Sequence, residues 1–304
     1  MAKYARRADF PGQIYADHVW KNHQIPELLW HYTDGSGFLG IVNSRSLWCS
    51  EFRYLNDREE VLLFARLFQD VLKDRLLAVF AENDVVDIVA TSELFQTWNV
   101  FVSAFCDEGD RNEHWQHYAK RGGYALGFDP NLLRTLAKSQ SFDIGPVMYG
   151  SDTAANVAAA VIDDNLHKLT SFKSPLPQQD INAISVFFCR LILQFAPFFK
   201  PASFAREREW RLVHVAGLGD SRLHFRSHKA FGIVEYVEFG LMVDAQGKRR
   251  LTGAPPKALI PRVIVGPGNE SDGWLKQSVP GELLATQGFE PRISESSSSY
   301  RFLE

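Results

Sequence analysis

The sequence has few cysteines, and they do not form a metal-binding pattern. Only Cys49, Cys106 and Cys189 occur in 304 residues. Their wide spacings contain no C-x-x-C pair of the kind that binds zinc. We interpret them as buried, reduced thiols of a cytoplasmic protein.

The glycine fingerprints of common nucleotide-binding enzymes are also missing. The Gly122-Gly123 pair and the Gly266-Pro267-Gly268 turn do not have P-loop spacing, and neither a Walker nor a Rossmann pattern occurs. Conventional nucleotide hydrolysis and hydride transfer are therefore disfavoured.

No charge of one sign dominates, and no long apolar run marks a signal or a membrane span. The net charge is -3, from 33 basic and 36 acidic residues, which gives no global electrostatic footprint for nucleic acid. Charges occur throughout residues 1–20, so we predict no signal peptide there. The most apolar run, residues 183–199, is interrupted by Arg190 and Pro197, which favours a buried helix and no membrane span.

Apolar and aromatic residues are abundant. The chain is 45% hydrophobic and 13% aromatic, with 23 Phe, which is enough to bury a large core. Strand-like and helical segments do not alternate regularly, which favours an α+β fold over a doubly wound parallel sheet. We predict a single domain over residues 1–304, with a lead-in at 1–26, a helical insertion at 152–199 and a loose tail at 294–304.

Two polar clusters at the ends of apolar segments open the predicted domain. An apolar, aromatic segment that reads as a strand ends in His31-Tyr32-Thr33, and a second predicted strand ends at Ser50. We expect His31 and Ser50 to lie on neighbouring strands that face one cleft. The next cluster, Asn56-Asp57 with Glu60, matches a capping box at the start of a helix.

A late charged segment, residues 206–211, is the strongest further signal. Alternate residues of an extended chain point the same way, so Glu207 and Glu209 are expected on one face. Arg206, Arg208 and Arg211 are near enough in sequence to offset their repulsion. The segment is either a charged edge strand with internal ion pairs or a site that uses two carboxylates.

The spacing of two histidines leaves a metal site open. His114 and His117 lie three residues apart on a predicted helix, a spacing that places two imidazoles together and that zinc sites also use. No third ligand is evident nearby, so a surface or partly buried pair is the simpler interpretation. Ser103 lacks a G-x-S-x-G setting, and nothing marks it as a nucleophile.

In their order along the chain, these motifs resemble a family known as domain of unknown function 2971, found mostly in bacteria and their mobile elements. The matching residues are His31-Tyr32-Thr33, Leu47-Trp48-Cys49-Ser50, Leu55-Asn56-Asp57 with Glu60, Ser103-Ala104-Phe105-Cys106, Trp115 with Tyr118, Gly127-Phe128-Asp129, and Lys200 with Phe204, Glu207, Glu209, Trp210 and Arg211. The family name implies no activity.

More loosely, a strand with His-Tyr-Thr, a Ser-bearing strand and a late Glu-x-Glu resemble the layout of ADP-ribosyltransferases. The resemblance implies a mixed or antiparallel β core with a helical insertion, and NAD as the substrate. It implies Glu209 as the catalytic carboxylate and Glu207 as the group that orients or activates the acceptor. The implied NAD-binding residues are His31, Tyr32, Thr33, Ser50 and Phe52. Of these, His31 would bind NAD, and Tyr32 or Phe52 would line the nicotinamide site.

Three functions follow as hypotheses. The first is an NAD-consuming ADP-ribosyltransferase or NAD glycohydrolase, acting as an effector in a bacterial defence or toxin system on an unidentified acceptor macromolecule. The second is a non-catalytic sensor module that binds a nucleotide-like small molecule in the same cleft. The third is a metal-dependent hydrolase that uses His31, His114 or His117 with Asp57.

Overall fold

The computed structural model describes residues 24–54, 58–92, 98–119, 122–216, 222–228, 230–243, 255, 258–268 and 274–298. The fold is mixed α+β, as predicted. The strands are β1 (Leu29–Thr33), β2 (Ser46–Glu51), β3 (Asn99–Cys106), β4 (Tyr124–Phe128), β5 (Asp143–Pro146), β6 (Met148–Tyr149), β7 (Phe199–Lys200), β8 (Glu209–Ala216), β9 (Leu223–His228), β10 (Gly232–Gly240), β11 (Arg262–Val265) and β12 (Arg292–Glu295). The α-helices are α1 (Gly35–Ser44), α2 (Arg58–Leu77), α3 (Glu82–Ser92), α4 (Asn112–His114), α5 (Pro130–Gln140), α6 (Ser151–Leu166), α7 (Gln178–Phe195) and α8 (Leu275–Thr286).

One large, mainly antiparallel sheet organises the described chain. Its strand order is β12-β11-β4-β1-β3-β2-β10-β9, and β8 and β5 branch from β3. Within it the β11–β12 pair is parallel, whereas the other pairs are antiparallel. The short strands β6 and β7 form a separate parallel pair. This arrangement agrees with the predicted mixed or antiparallel core but does not by itself identify an ADP-ribosyltransferase fold.

The sheet forks at β3. Strand β8 pairs with β3 along its whole length, from Asn99 to Cys106, so it occupies one complete edge. Strands β1 and β2 must therefore share the other edge. Strand β1 pairs there at Cys106, and β2 pairs at Phe101 and Val102. The prediction that β1 and β2 are direct neighbours is wrong, because each of them pairs with β3.

Three apolar clusters fill the space around the sheet. The largest holds helices α2, α3, α6 and α7 against one face of β3 and β8, which we call the front face and which carries Val102 and Val213. The second lies on the back face, which carries Phe105 and Leu212, and includes residues of α1 and α5. A small third cluster joins Trp30, Tyr32 and Trp115.

The three cysteines are distributed among these clusters. Cys189 lies in the first, Cys49 in the second and Cys106 in the third. All three are free and buried, as the sequence predicted. Burial raises the pKa of each thiol, to about 12 for Cys106 and about 12 for Cys189.

The helical insertion predicted at 152–199 corresponds to α6 and α7, which begin at Ser151 and Gln178. These helices do not form a separate layer, because they share their apolar cluster with α2 and α3. Strand β9 was missed, since four of its six residues, LHFRSH, are polar. The lead-in lies outside the described residues up to residue 23, as do Asn56 and Asp57. The single-domain organisation stays a prediction.

The loose tail predicted at residues 294–304 is wrong where the structure describes it. Ser294 and Glu295 belong to β12, and Ser296 donates its backbone N–H to the Val265 carbonyl at 2.8 Å. Its neighbours Ser297 and Ser298 also hydrogen-bond to the body of the protein. Residues 299–304 lie outside the described part.

Among the described residues, the helical segment Gln178–Phe198 is long and apolar enough to span a membrane, but 72% of its apolar window is buried inside the protein. That degree of burial is typical of a core helix. The helix carries Phe188, Leu191 and Ile192 into the first apolar cluster. A cytoplasmic location stays a prediction.

Candidate functional site

Four charged side chains converge on the front face of the sheet, where β8 begins. We call Lys200, Glu207, Glu209 and Arg211 the charged cluster. The ammonium group of Lys200 lies 2.6 Å from Glu207 Oε2 and 2.9 Å from Glu209 Oε2, so it bridges the two carboxylates. Arg211 donates to both oxygens of Glu209, from Nε at 2.8 Å and from Nη2 at 3.1 Å. Buried charges are costly unless paired, which makes this cluster a candidate site.

The local backbone explains how Glu207 and Glu209 meet. The sequence predicted alternate positions on an extended segment, but Glu207 ends a 3-10 helix, Ala202–Glu207, and Arg208 adopts a left-handed conformation with φ of 45°. Strand β8 starts only at Glu209. Both carboxylates still contact Lys200, because the chain turns between them. The predicted proximity of the two carboxylates is confirmed, whereas the predicted extended geometry is wrong.

The two carboxylates differ in exposure. The side chain of Glu209 is 10% exposed, whereas that of Glu207 is 28% exposed. Burial alone would raise the pKa of Glu209, but the charges of Arg211 and Lys200, with their hydrogen bonds, outweigh it and lower the pKa below its usual value. Glu209 is therefore ionised at neutral pH. Lys200 is the contact that Glu207 makes within the described residues.

Aromatic groups border the charged cluster. The Tyr149 hydroxyl accepts the Glu209 backbone N–H at 2.8 Å, and the Lys200 ammonium lies 4.9 Å from the centre of the Phe204 ring. Tyr118 is 45% exposed. Loss of water around its hydroxyl, and then the negative charge of Glu207, raise the pKa of Tyr118 to about 12. The exposed ring of Tyr118 and the partly exposed carboxylate of Glu207 are the parts of the site that a ligand can reach.

Tyr118 and His114 come from a segment in which α4 continues as a π-helix, Trp115–Ala119. Wide π turns often occur at functional sites. His114 is buried between the rings of Tyr32 and Tyr118, at centroid distances of 5.1 Å and 5.7 Å, and its Nδ1 has no hydrogen-bond partner among the described residues. Burial, followed by the charge of Arg111, lowers the pKa of His114 to about 4, so the ring is neutral.

The structure does not bring His31 into this site. Successive side chains of a strand point to opposite faces. His31 lies on the back face, with its ring 5.6 Å from that of Phe105, whereas Glu209 and Arg211 lie on the front face with Val213. Its Nδ1 hydrogen-bonds the Ala104 carbonyl at 2.9 Å, on the stretch of β3 edge between β1 and β2. Burial lowers the pKa of His31, and this hydrogen bond only partly offsets it.

The other predicted NAD-binding residues are dispersed. Tyr32 lies on the front face, where its hydroxyl donates to the Glu108 carbonyl at 2.9 Å. Thr33 lies beside the first turn of α1, against Gly37. Ser50 accepts a hydrogen bond from Arg226 at 2.9 Å on the β2 side of the fork, and Phe52 is buried in the first apolar cluster. Only Tyr32 approaches the charged cluster, through His114.

A metal-binding arrangement is not evident in the described part of the chain. No group of three or more His, Cys, Asp or Glu residues there is placed to hold a metal ion. His114 is buried whereas His117 is exposed, and His31 lies on the other face of the sheet. Asp57 lies outside the described residues.

The family comparison coincides with this site. The model of a family described as protein of unknown function (DUF2971) matches residues 114–212. Over residues 114–212 the chain is therefore similar to DUF2971. The DUF2971 segment contains the whole charged cluster together with His114, Tyr118 and Tyr149, whereas His31 and Ser50 lie outside it. Neither curated proteins nor solved structures gave a significant match. The looser resemblance to ADP-ribosyltransferases has no support from these comparisons.

Lys200 belongs to the residues that carry the family resemblance, but the sequence assigned it no role in the site. A lysine directly after a long apolar helix and an apolar 3-10 turn is a weak signal, because Lys is rarely buried without a partner. Its 8% side-chain exposure appears only when the structure places both glutamates around it. His114 was noticed for its spacing to His117, but the relevant neighbours are the rings of Tyr32 and Tyr118.

Proposed function

We propose that the charged cluster is the active site of an NAD-consuming ADP-ribosyltransferase or NAD glycohydrolase. The observation that carries the proposal is the partly exposed carboxylate of Glu207, held by Lys200 at 2.6 Å, in a site that also presents the exposed ring of Tyr118. An aromatic surface suits a flat nucleobase or nicotinamide ring, and an adjacent carboxylate suits a ribose on which positive charge develops.

The proposed reaction breaks the bond between the nicotinamide nitrogen and the ribose carbon of NAD. Nicotinamide leaves with the bonding electron pair, and the ribose acquires oxocarbenium character that a nearby carboxylate stabilises. A nucleophile then bonds to the ribose carbon and gives up its proton. With water as the nucleophile the product is free ADP-ribose, and with a macromolecule it is an ADP-ribosylated acceptor. The identity of the acceptor, and a role in bacterial defence, stay predictions.

The exposure of the two carboxylates favours an exchange of the roles that the resemblance implied. Both oxygens of Glu209 are hydrogen-bonded to Arg211, and one also contacts Lys200. We therefore assign Glu207 as the group that faces the ribose. We assign Glu209 as a positioning residue that keeps Lys200 and Arg211 in place.

The position of His31 favours a second candidate, a module that binds a nucleotide-like molecule without catalysis. In the transferase resemblance a first-strand histidine holds NAD, yet His31 is committed to Ala104 on the opposite face from Glu209. A site with charges that already balance, two basic and two acidic, is also compatible with binding alone.

Incubation of the purified protein with NAD, with nicotinamide release followed by chromatography, tests the first candidate. We expect Glu207→Gln to slow release by about a hundredfold, as for the loss of one stabilising group at a developing charge. Glu113→Gln is the matched control, since Glu113 lies near the site but its side chain is 69% exposed.

The melting temperature with and without NAD separates the two candidates. Release of nicotinamide that Glu207→Gln slows by about a hundredfold supports the enzyme. An NAD-dependent rise in melting temperature without release supports the binding module, because a ligand that binds only the native state stabilises it. Nicotinamide release by Glu207→Gln at the wild-type rate contradicts the assignment of Glu207. If the wild-type protein shows no release and NAD does not raise its melting temperature, both candidates are ruled out.

A further inference from the structure

The loop between β3 and α4 contacts three parts of the protein: the segment after β12, the helical segment that follows the loop, and the segment that carries Glu207. We call residues 107–111 the Asp110 loop. It leaves β3 at Cys106 and leads directly into the segment that carries His114 and Tyr118. Its Gly109 packs so closely on the Trp30 indole that an added Cβ would lie 2.4 Å from the ring. The position of this loop therefore sets where the next helix begins.

A serine-rich segment after β12 binds this loop. We call Ser296–Ser298 the serine strap. The hydroxyl groups of Ser296 and Ser297 both donate to the Asp110 carboxylate, and the Ser297 backbone N–H donates to it at 2.7 Å. The Ser298 hydroxyl donates to the Asn112 side chain.

The same carboxylate also binds the helix that follows. Trp115 Nε1 donates to Asp110 Oδ1 at 2.8 Å, and the Trp115 side chain is fully buried against Tyr32. Partial burial alone would raise the pKa of Asp110, but the hydrogen bonds from the two serines and Trp115 outweigh it and lower the pKa. Asp110 is therefore a charged acceptor, and hydrogen bonds to a charged group are stronger than those between neutral groups.

On its other side the loop contacts the segment that carries Glu207. Arg111 Nη1 donates to the Arg206 carbonyl at 2.7 Å. The Arg111 backbone N–H donates to the Tyr32 hydroxyl at 3.0 Å. In this way direct contacts connect the serine strap, through Asp110 and Arg111, to the residue next to Glu207.

We propose that Asp110 is a positioning residue and that the serine strap, through it, fixes the helical segment Asn112–Ala119 against the charged cluster. The role assigned to the strap in catalysis rests on the function proposed above. The strap holds the segment that carries His114 and Tyr118 through Asp110 and Asn112, two residues outside the charged cluster. Loss of the strap therefore leaves the cluster intact but lets the aromatic side of the site move.

The experiment combines amide hydrogen exchange with NAD kinetics on three full-length variants. The double variant Ser296→Ala/Ser297→Ala removes the two hydroxyl donors to Asp110, and Ser296→Thr/Ser297→Thr restores them. Ser294→Ala is the matched control, because Ser294 lies in the same segment but is exposed on β12. Local opening governs exchange, so the exchange of residues 112–119 reports directly on how firmly the strap holds them.

We expect the alanine pair to accelerate exchange of residues 112–119 by at least about tenfold, the equivalent of losing one of the two hydroxyl hydrogen bonds to the Asp110 carboxylate. The threonine pair and Ser294→Ala should exchange like the wild type. In kinetics the alanine pair should lower kcat with little change in KM, because it loosens orientation and removes no contact to bound substrate.

The exchange result tests whether the serine strap fixes residues 112–119 even if NAD is not the substrate. Unchanged exchange at residues 112–119 in the alanine pair overturns the proposal. Faster exchange with an unchanged kcat overturns its role in catalysis. A wild-type protein that releases no nicotinamide contradicts the proposed function instead, and the exchange data then still confirm or overturn the strap.

Discussion

On the front face of the sheet, Glu207 and Glu209 form ion pairs with Lys200 and Arg211. On the back face, His31 stands beside the Phe105 ring and makes a single hydrogen bond to a backbone carbonyl. The ion pairs of the front face hold charges at a partly exposed position at a cost in stability. The hydrogen bond of His31 satisfies a backbone carbonyl at the fork of the sheet. On the proposed function, the front face holds the reactive groups and the back face supports the fold.

The largest expected effect comes from breaking the ion pairs of the front face. Arg211→Met leaves the buried Glu209 with one cationic partner, so the free energy of unfolding should fall by about 3–5 kcal/mol. Urea denaturation measures this fall. Arg208→Met is the control: its guanidinium pairs with Asp107 and Glu108, but its side chain is 55% exposed. A change there should stay within about 1 kcal/mol. Equal losses for the two variants would show that burial does not distinguish the pairs.

A smaller loss of stability is expected at the fork. His31→Phe keeps a ring beside Phe105 but leaves the Ala104 carbonyl without this partner. Because Ala104 is exposed and water can replace the lost donor, the free energy of unfolding should fall by about 0.5–1.5 kcal/mol, the net value of an ordinary hydrogen bond. Nicotinamide release per folded molecule should stay unchanged, in contrast to Glu207→Gln. If His31→Phe instead abolished release while its melting curve remained cooperative, the back face would have to be part of the site.

The dependence of the free energy of unfolding on pH below 7 tests the contribution of the ion pairs of the front face. The pKa of Glu209 is lowered in the folded state, so its stabilising contribution is present above its ordinary value of 4.5 and is lost as pH falls through the lower folded value. Unfolding by urea at pH values from 7 down to 3 should therefore show a decline that Glu209→Gln reduces. An identical slope in the wild type and in Glu209→Gln would mean that other carboxylates control the acid limb.

The smallest effect is expected at His114. Its Nδ1 is buried without a hydrogen-bond partner in the described structure, so His114→Phe removes an unsatisfied polar atom while keeping a ring between Tyr32 and Tyr118. The free energy of unfolding at pH 7 should change by less than about 1 kcal/mol, with either sign. His117→Phe, at an exposed position, provides the reference. A loss of several kcal/mol at His114 alone would show that its nitrogens support the fold.

The strands were predictable where burial imposes a simple pattern. The apolar, aromatic segment that ends in His31-Tyr32-Thr33 predicted β1, because strands are enriched in aromatic and β-branched residues. Strand β9 was missed because it is mostly polar or exposed, with Phe225 left 63% exposed. The order of strands around β3 depends on pairing between distant segments, which periodicity within a segment does not encode.

The site was predictable in its acidic pair and not in its surroundings. Glu207 and Glu209 were selected because two carboxylates so close in sequence need cations, and the structure supplies Lys200 and Arg211. His31 was grouped with them by the resemblance to ADP-ribosyltransferases, which implies that a first-strand histidine binds NAD. Neighbouring residues of a strand face opposite ways, so one position decides whether a side chain reaches the front or the back face.

The three cysteines provide built-in probes of local opening. Because one buried thiol lies in each apolar cluster, an alkylating reagent reaches a given sulfur only when that cluster opens. The order in which Cys189, Cys49 and Cys106 are alkylated, measured by mass spectrometry, therefore shows which of the three apolar clusters opens first.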